Sequence, residues 1–190
     1  MKRSIFIAVL GMGSMVAAYG QGYVNFSNYY SSSQTTGVIY GNGPDVGLGA
    51  GSEISVTLLY GAATDTLISQ LTPLSFTGSS GQSPIALSGN PGPVHGSGPG
   101  VFAGGIVNLP AGGSYAFAVS ATGTLGGNSY TGVSAIFTGS AVGPATPVGN
   151  LPLGLQQSTI LINAVPEPTT LALAGLGGLA SLVALRRKKA

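Results

Sequence analysis

The sequence predicts an all-β body, an antiparallel β-sandwich of jelly-roll or immunoglobulin-like kind, set between an N-terminal and a C-terminal apolar segment. Three observations predict it. Apolar residues alternate with small polar ones in short runs, the period of a half-buried strand. Clusters such as "GNGPDVGLGAG", "TGSSGQS", "PAGG" and "TLGGNS" punctuate those runs with turn-forming residues. No interior stretch keeps a helical period without glycine interrupting it. Many short strands joined by glycine-rich turns favour a sandwich, with a partly open barrel as the alternative.

The strands follow in chain order. Residues 24–27 and 37–40 are short candidates near the start of the body. In "EISVTLLY", Ile54, Val56, Leu58 and Tyr60 fall on one face, with Glu53, Ser55 and Thr57 opposite. Residues 67–76 form a candidate interrupted at Pro73, and 84–87 and 101–109 follow. In "SYAFAVSA", Tyr115, Phe117, Val119 and Ala121 alternate with Ser114, Ala116, Ala118 and Ser120. Residues 130–138 and 158–164 complete the set. "SGNPGPVHGSGPG", residues 88–100, is the longest stretch without a strand pattern, and it reads as a surface loop within one sandwich, since each flank alone buries too little.

Composition bounds the rest. The 190 residues suit one domain with end segments. Gly 33 and 44% hydrophobic residues describe a chain rich in turns yet too apolar to remain unfolded. Cys 0 excludes disulfides, zinc–thiolate sites and thiol nucleophiles together. Charge placement is more telling than net charge. The bases are Lys2, Arg3, Arg186, Arg187, Lys188 and Lys189, so residues 4–185 contain neither Lys nor Arg. The acids are Asp45, Glu53, Asp65 and Glu167. A body without cations has nothing to set against phosphate, so no nucleic-acid partner is expected.

The basic pair at Lys2 and Arg3 opens "MKRSIFIAVLGMGSMVAAYGQG", in which an apolar core runs from Ile5 to about Val16 and small residues follow. This is the pattern of a secretory signal peptide over residues 1–20, with cleavage expected between Gly20 and Gln21 and Ala18 as the rival site. A buried N-terminal helix is the plainer reading. Bases at a helix N-terminus oppose its dipole, however, and Gly11 and Gly13 weaken the helix, so export through the general secretion machinery and signal peptidase is expected.

The other end reads "AVPEPTTLALAGLGGLASLVALRRKKA". Leu171 to Leu185 carries no charge and no proline. As a helix it spans about 22 Å, or about 25 Å with Thr169 and Thr170, short of the roughly 30 Å hydrocarbon core. Local thinning and long basic side chains accommodate such a span. The cluster Arg186, Arg187, Lys188 and Lys189 then acts as a basic stop on the cytoplasmic side. Before the helix stand Val165, Pro166, Glu167 and Pro168; both prolines fix their own φ and restrict the preceding residue to extended geometry. Glu167 is thereby displayed between two rings just outside the membrane. The expected organisation is a signal peptide at 1–20, a sandwich at 21–164 and a sorting region at 165–190, with its motif at 165–168, membrane helix at 169–185 and stop at 186–189.

Taken in that order, residues 165–189 resemble the PEP-CTERM sorting signal of Gram-negative, exopolysaccharide-producing bacteria. Pro166, Glu167 and Pro168 match the motif, Thr169 stands where Ser or Thr is usual, and Arg186 opens the basic stop. The resemblance implies an exosortase as partner, a multi-spanning membrane transpeptidase that processes the tail. It implies a precursor in the inner membrane and a mature form at the outer surface or in the extracellular biofilm matrix. "GQGYVNFSNY", "GAGSEISVTLLYG" and "VNLPAGGSYAFAVSA" are similar to stretches of surface proteins carrying this tail in a Verrucomicrobia-like lineage.

Within the body the sequence predicts no catalytic residue, no cofactor and no metal site. His95 with Asp45 or Asp65 and a serine could in principle compose a hydrolytic triad, but His95 sits in a Pro/Gly loop and no G-x-S-x-G elbow is present. Glu53 and Asp65 could serve as facing carboxylates, yet nothing selects them as a pair. Asp45 in "GNGPDVG" reads as a turn former rather than a calcium ligand, which needs several carboxylates close together. Tyr23, Tyr29 and Tyr30 belong to an aromatic cluster suited to glycan stacking, against the plainer reading of a first strand packed into the core. The expected role is therefore that of a surface-sorted structural or exopolysaccharide-associated protein. A carbohydrate-binding module is the alternative, and a glycan-active enzyme stands third.

Overall fold

The computed structural model describes residues 21–79, 81–95, 98–143 and 159–166. Its strands are β1 (Gly22–Ser27), β2 (Val38–Tyr40), β3 (Ile54–Ala62), β4 (Thr72–Pro73), β5 (Phe76–Gly78), β6 (Gly81–Ser83), β7 (Ile85–Ala86), β8 (Ala103–Leu109), β9 (Gly113–Leu125), β10 (Asn128–Val133), β11 (Phe137–Ala141) and β12 (Ile160–Val165). The expected all-β body is therefore found. The expected signal helix and C-terminal membrane helix lie outside the described residues, and among the described residues no helix is long and apolar enough to cross a membrane.

The strands form two sheets. The smaller has the order β1-β8-β6-β5; the larger runs β2-β12-β10-β9-β3-β4, with β11 also on β9 and β7 also on β3. β9 is the spine of the larger sheet. Its 13 residues are long enough for β10 and β11 to share one side while β3 occupies the other. At the tip between β9 and β10, Gly126 and Gly127 take φ of 58° and 82°, the two positive values that a tight right-twisted hairpin demands.

The alternation read from the sequence sets the inner face. Ile54, Val56 and Leu58 of β3, Phe117, Val119 and Ala121 of β9, and Ile160 and Ile162 of β12 are buried with Val24, Phe26, Val107 and Leu109 of the smaller sheet in one core. Phe26 meets Phe102 at 4.9 Å between ring centroids, and Tyr40 meets Tyr130 edge-on at the same separation. Both are geometries aromatic pairs prefer.

The sheets are tied along both edges. Tyr23 of β1 exchanges main-chain hydrogen bonds of 2.8 and 3.1 Å with Val142, directly after β11. At the opposite edge the chain itself crosses, from β4 into the β5–β6 hairpin and back into β7. Ser83 reinforces that crossing by accepting from the Leu58 N–H at 3.1 Å and donating to the Leu74 carbonyl at 2.9 Å. Two face-packed sheets with joined edges stand between a sandwich and a partly open barrel.

Four expectations need correction. The sheets are not purely antiparallel, because β12 pairs with β2 in parallel, Ile160 to Val38 and Ile162 to Tyr40. Residues 67–76 do not form one strand: Ile68–Gln70 is a 3-10 turn, followed by β4 and then β5 in the other sheet. Residues 130–138 likewise divide into β10 and β11. Between them Ser134 donates its N–H to the Val119 carbonyl, and its Oγ accepts the Val119 N–H, each at 2.9 Å. One hydroxyl thus satisfies the spine where the neighbouring strands part. The second face of β9 is not wholly solvent-facing either, since Ala116 and Ala118 are buried with Leu59 and Leu71 in a smaller cluster.

Candidate functional site: the junction of body and C-terminal signal

β12 carries the chain out of the body. It is an interior strand of the larger sheet, with β2 on one side and β10 on the other. On the β10 side Asn163 faces Thr131, Ala164 faces Tyr130 and Val165 faces Ser129. On the β2 side the ladder continues past the last strand residue, because the Gly41 N–H donates to the Ile162 carbonyl at 2.7 Å. The chain then turns away, and the side chain of Asn42 takes its place: Asn42 Oδ1 accepts the Ala164 N–H at 2.7 Å. The next residue, Pro166, has no N–H to contribute and stands exposed beyond the strand. The pairing therefore extends through Val165, the first residue of the predicted tetrapeptide, and stops at the first proline.

Below that exit lies a polar contact at the margin of the core, where Glu53, expected on the face opposite Ile54, turns in to meet Tyr40. Tyr40, fully buried, donates its hydroxyl to Glu53 Oε1, and the Gly51 N–H donates to the same oxygen at 3.0 Å. Burial first, then the hydrogen bond and charge of Glu53, with smaller effects of Asp45 and Tyr130, push the Tyr40 hydroxyl well above the usual tyrosine range. Glu53 is thus an anchor for the strand that pairs with β12.

The remaining predicted residues separate. Pro168, Glu167, the basic stop at Arg186, Arg187, Lys188 and Lys189, and the signal-cleavage residues Ala18 and Gly20 lie outside the described residues. Gln21 is exposed, and its Oε1 accepts from the Tyr23 hydroxyl at 3.1 Å. β1 stands between Tyr23 at its start and Tyr29 and Tyr30 beyond its end, so the three do not make one platform. Tyr29 and Tyr30 are 42% and 41% exposed on the following loop. Asp65 Oδ2 accepts the Ala62 N–H at 2.7 Å, a local turn bond, and His95 is exposed in its loop. Among the described residues no group of three or more His, Cys, Asp or Glu side chains could hold a metal ion.

Sequence reasoning missed Asn28, Gln34 and Asn42. Asn28 and Gln34 are 2% and 1% exposed and fix the Tyr29–Tyr30 loop from beneath. Asn28 Oδ1 accepts the Phe102 N–H at 2.7 Å, Asn28 Nδ2 donates to the Gly100 carbonyl at 3.2 Å, and Gln34 Oε1 accepts the Tyr30 N–H at 3.1 Å. Asn42 reads locally as turn punctuation; its partner is 122 residues away, so no local signal could have found it.

On the outer face of the larger sheet the Asp65 carboxylate lies over Gly61 at the end of β3, and uncharged rows cross the sheet away from it. Ser55, Thr122, Thr131 and Asn163 form one cross-strand row, and Thr57, Ser120 and Val133 form the next. An open groove of about 300 Å³ between the β5–β6 hairpin and β8, lined by Ser79, Gln82, Ile85 and Gly104, holds none of the predicted site residues.

Residues 164–188 match the family described as the PEP-CTERM protein-sorting motif. No curated protein and no solved structure matches the chain.

Proposed function

From the premise that this chain carries a PEP-CTERM sorting motif, and is thus an exported protein sorted through its C-terminal signal to exosortase-type processing machinery, we propose that its body is a structural component of the outer surface or extracellular matrix. The observation that carries the proposal is the uncharged cross-strand rows of the outer face, joined to an exit strand at the motif. Rows of Ser, Thr and Asn, interspersed with exposed Val133 and Leu161, offer a neutral polymer donors, acceptors and apolar contact without ionic cost. In this reading the precursor is held in the inner membrane by 169–185, and the body performs no chemistry of its own. Chemistry is done to its tail.

The test is fractionation of an exopolysaccharide-producing Gram-negative host that has an exosortase. The wild-type chain is expected in the outer-surface and matrix fraction, and Glu167→Ala is expected to retain it in the inner membrane. Equal surface yield from both would refute sorting through this motif. Unaltered matrix cohesion on deletion of the whole chain would refute the structural role.

A second reading, a carbohydrate-binding module, is favoured by one observation. Tyr29 and Tyr30 project from a loop whose base is set by buried Asn28 and Gln34. Aromatic rings held in place lose little freedom on binding. Glycan-array signals abolished by Tyr29→Ala and Tyr30→Ala, with folding unchanged, would establish it over a passive matrix role.

A further inference from the structure

The larger sheet ends inside the sorting motif, with no linker between them. The motif match begins at Ala164, whereas β12 continues to Val165. Ile160 and Ile162, 1% and 0% exposed, place the same strand in the centre of the core. The strand pairs with β2 over Ile160 to Ile162 and with β10 over Asn163 to Val165, and Asn42 holds the Ala164 N–H on the β2 side. An enzyme that cuts a peptide must take hold of an extended backbone with free hydrogen-bonding groups. A strand already paired on both sides does not offer them, and releasing it would expose two core isoleucines.

We propose that the bond cut during sorting lies C-terminal to Val165, and that Asn42 is a positioning residue that latches the motif's first residues into the sheet. The mature body then keeps the whole of β12. This rests on the reading that the tail is processed. In the step itself the peptide C–N bond at the cut breaks. The acyl carbon passes to a nucleophile, water or a hydroxyl or amine acceptor, whose proton goes to the nitrogen of the released tail. No oxidant or reductant takes part. Between Val165 and the apolar run at Leu171 lie residues 166–170, which reach at most about 18 Å when extended. The latch therefore leaves only these residues between the sheet and the apolar run.

The experiment is C-terminal peptide mapping by mass spectrometry of the protein recovered from the surface fraction. The expected result is a last residue at Val165 or beyond it within the tail. A last residue upstream of Val165 overturns this inference while leaving processing intact. A chain still ending at Ala190 on the surface overturns the processing reading, and this inference with it. The latch is read separately by amide hydrogen exchange on the full-length precursor. Asn42→Ala is expected to speed exchange at Ala164 by roughly three- to tenfold, the loss of one hydrogen bond. Asn42→Asp, which keeps the acceptor, restores the slow rate, and Ile162 stays protected in both as the control for folding. Unchanged exchange at Ala164 in Asn42→Ala, with Ile162 protected, overturns the role given to Asn42.

Discussion

Replacing Asn28 by alanine tests whether buried polar side chains, rather than aromatic packing alone, hold the first loop to the body. Asn28 is 2% exposed and makes two side-chain hydrogen bonds, from the Phe102 N–H at 2.7 Å and to the Gly100 carbonyl at 3.2 Å. The two partners fare differently after truncation. The Gly100 carbonyl keeps the Val38 N–H at 2.8 Å. The Phe102 N–H is left without its acceptor in a residue only 2% exposed. One lost hydrogen bond costs about 1 kcal/mol and a stranded buried donor about 1–3 kcal/mol, giving about 2–4 kcal/mol in total. The assay is equilibrium urea unfolding of the purified, signal-free protein. With a slope of about 1–3 kcal/mol per molar, the midpoint should fall by about 1–2 M while the slope stays constant. Hydrogen exchange should rise across residues 29–36 in the same variant. A loss below about 0.5 kcal/mol at unchanged slope would refute the reasoning, because it would mean the loop is held by other contacts.

Tyr40 gives a pH prediction whose sign follows from its raised pKa. The unfolded chain releases that proton near pH 10, whereas burial and Glu53 retain it in the fold. The contribution is complete below about pH 10 and is lost as pH rises above it, so the urea midpoint should decline there. Tyr40→Phe should flatten that decline and cost about 2 kcal/mol at neutral pH, the strength of a hydrogen bond to a charged group. Ile162→Ala should cost about 2–5 kcal/mol by opening a cavity in the core beneath β12, measured by the same unfolding curves. Gly126→Ala should cost about 1 kcal/mol, because its φ of 58° is unfavourable for a residue with a Cβ, and thermal unfolding is the check.

Legibility followed the physical range of each interaction. Inward faces of β3 and β9 were visible because alternation is a local property: Ile54, Val56 and Leu58, and Phe117, Val119 and Ala121, are buried as their spacing implied. The split of residues 130–138 was invisible because it depends on the Ser134 hydroxyl meeting Val119 across the sheet. The burial of Ala116 and Ala118 was missed for a related reason, since it needs the turn after β3 to fold back over the outer face. The edge strand β2 is also protected in a way no local pattern records. Its free side is covered by the protein's own backbone, with Val38 N–H on Gly100, Ala50 N–H on Val38 and Tyr40 N–H on Leu48 at 2.8–3.0 Å.

The sequence by itself determined that the body is built of strands and free of Lys and Arg, that the chain's cations are confined to its two ends, and that the C-terminal region carries a sorting signal. Each of these is written in neighbouring residues, as a period, a charge run or a motif. Only the tertiary structure decided that β12 lies between β2 and β10, and that Asn42 holds Ala164 at the point where body and signal meet. Those facts depend on residues far apart in the chain converging through the closure of the two sheets around one core, and a local pattern contains no record of its distant partner.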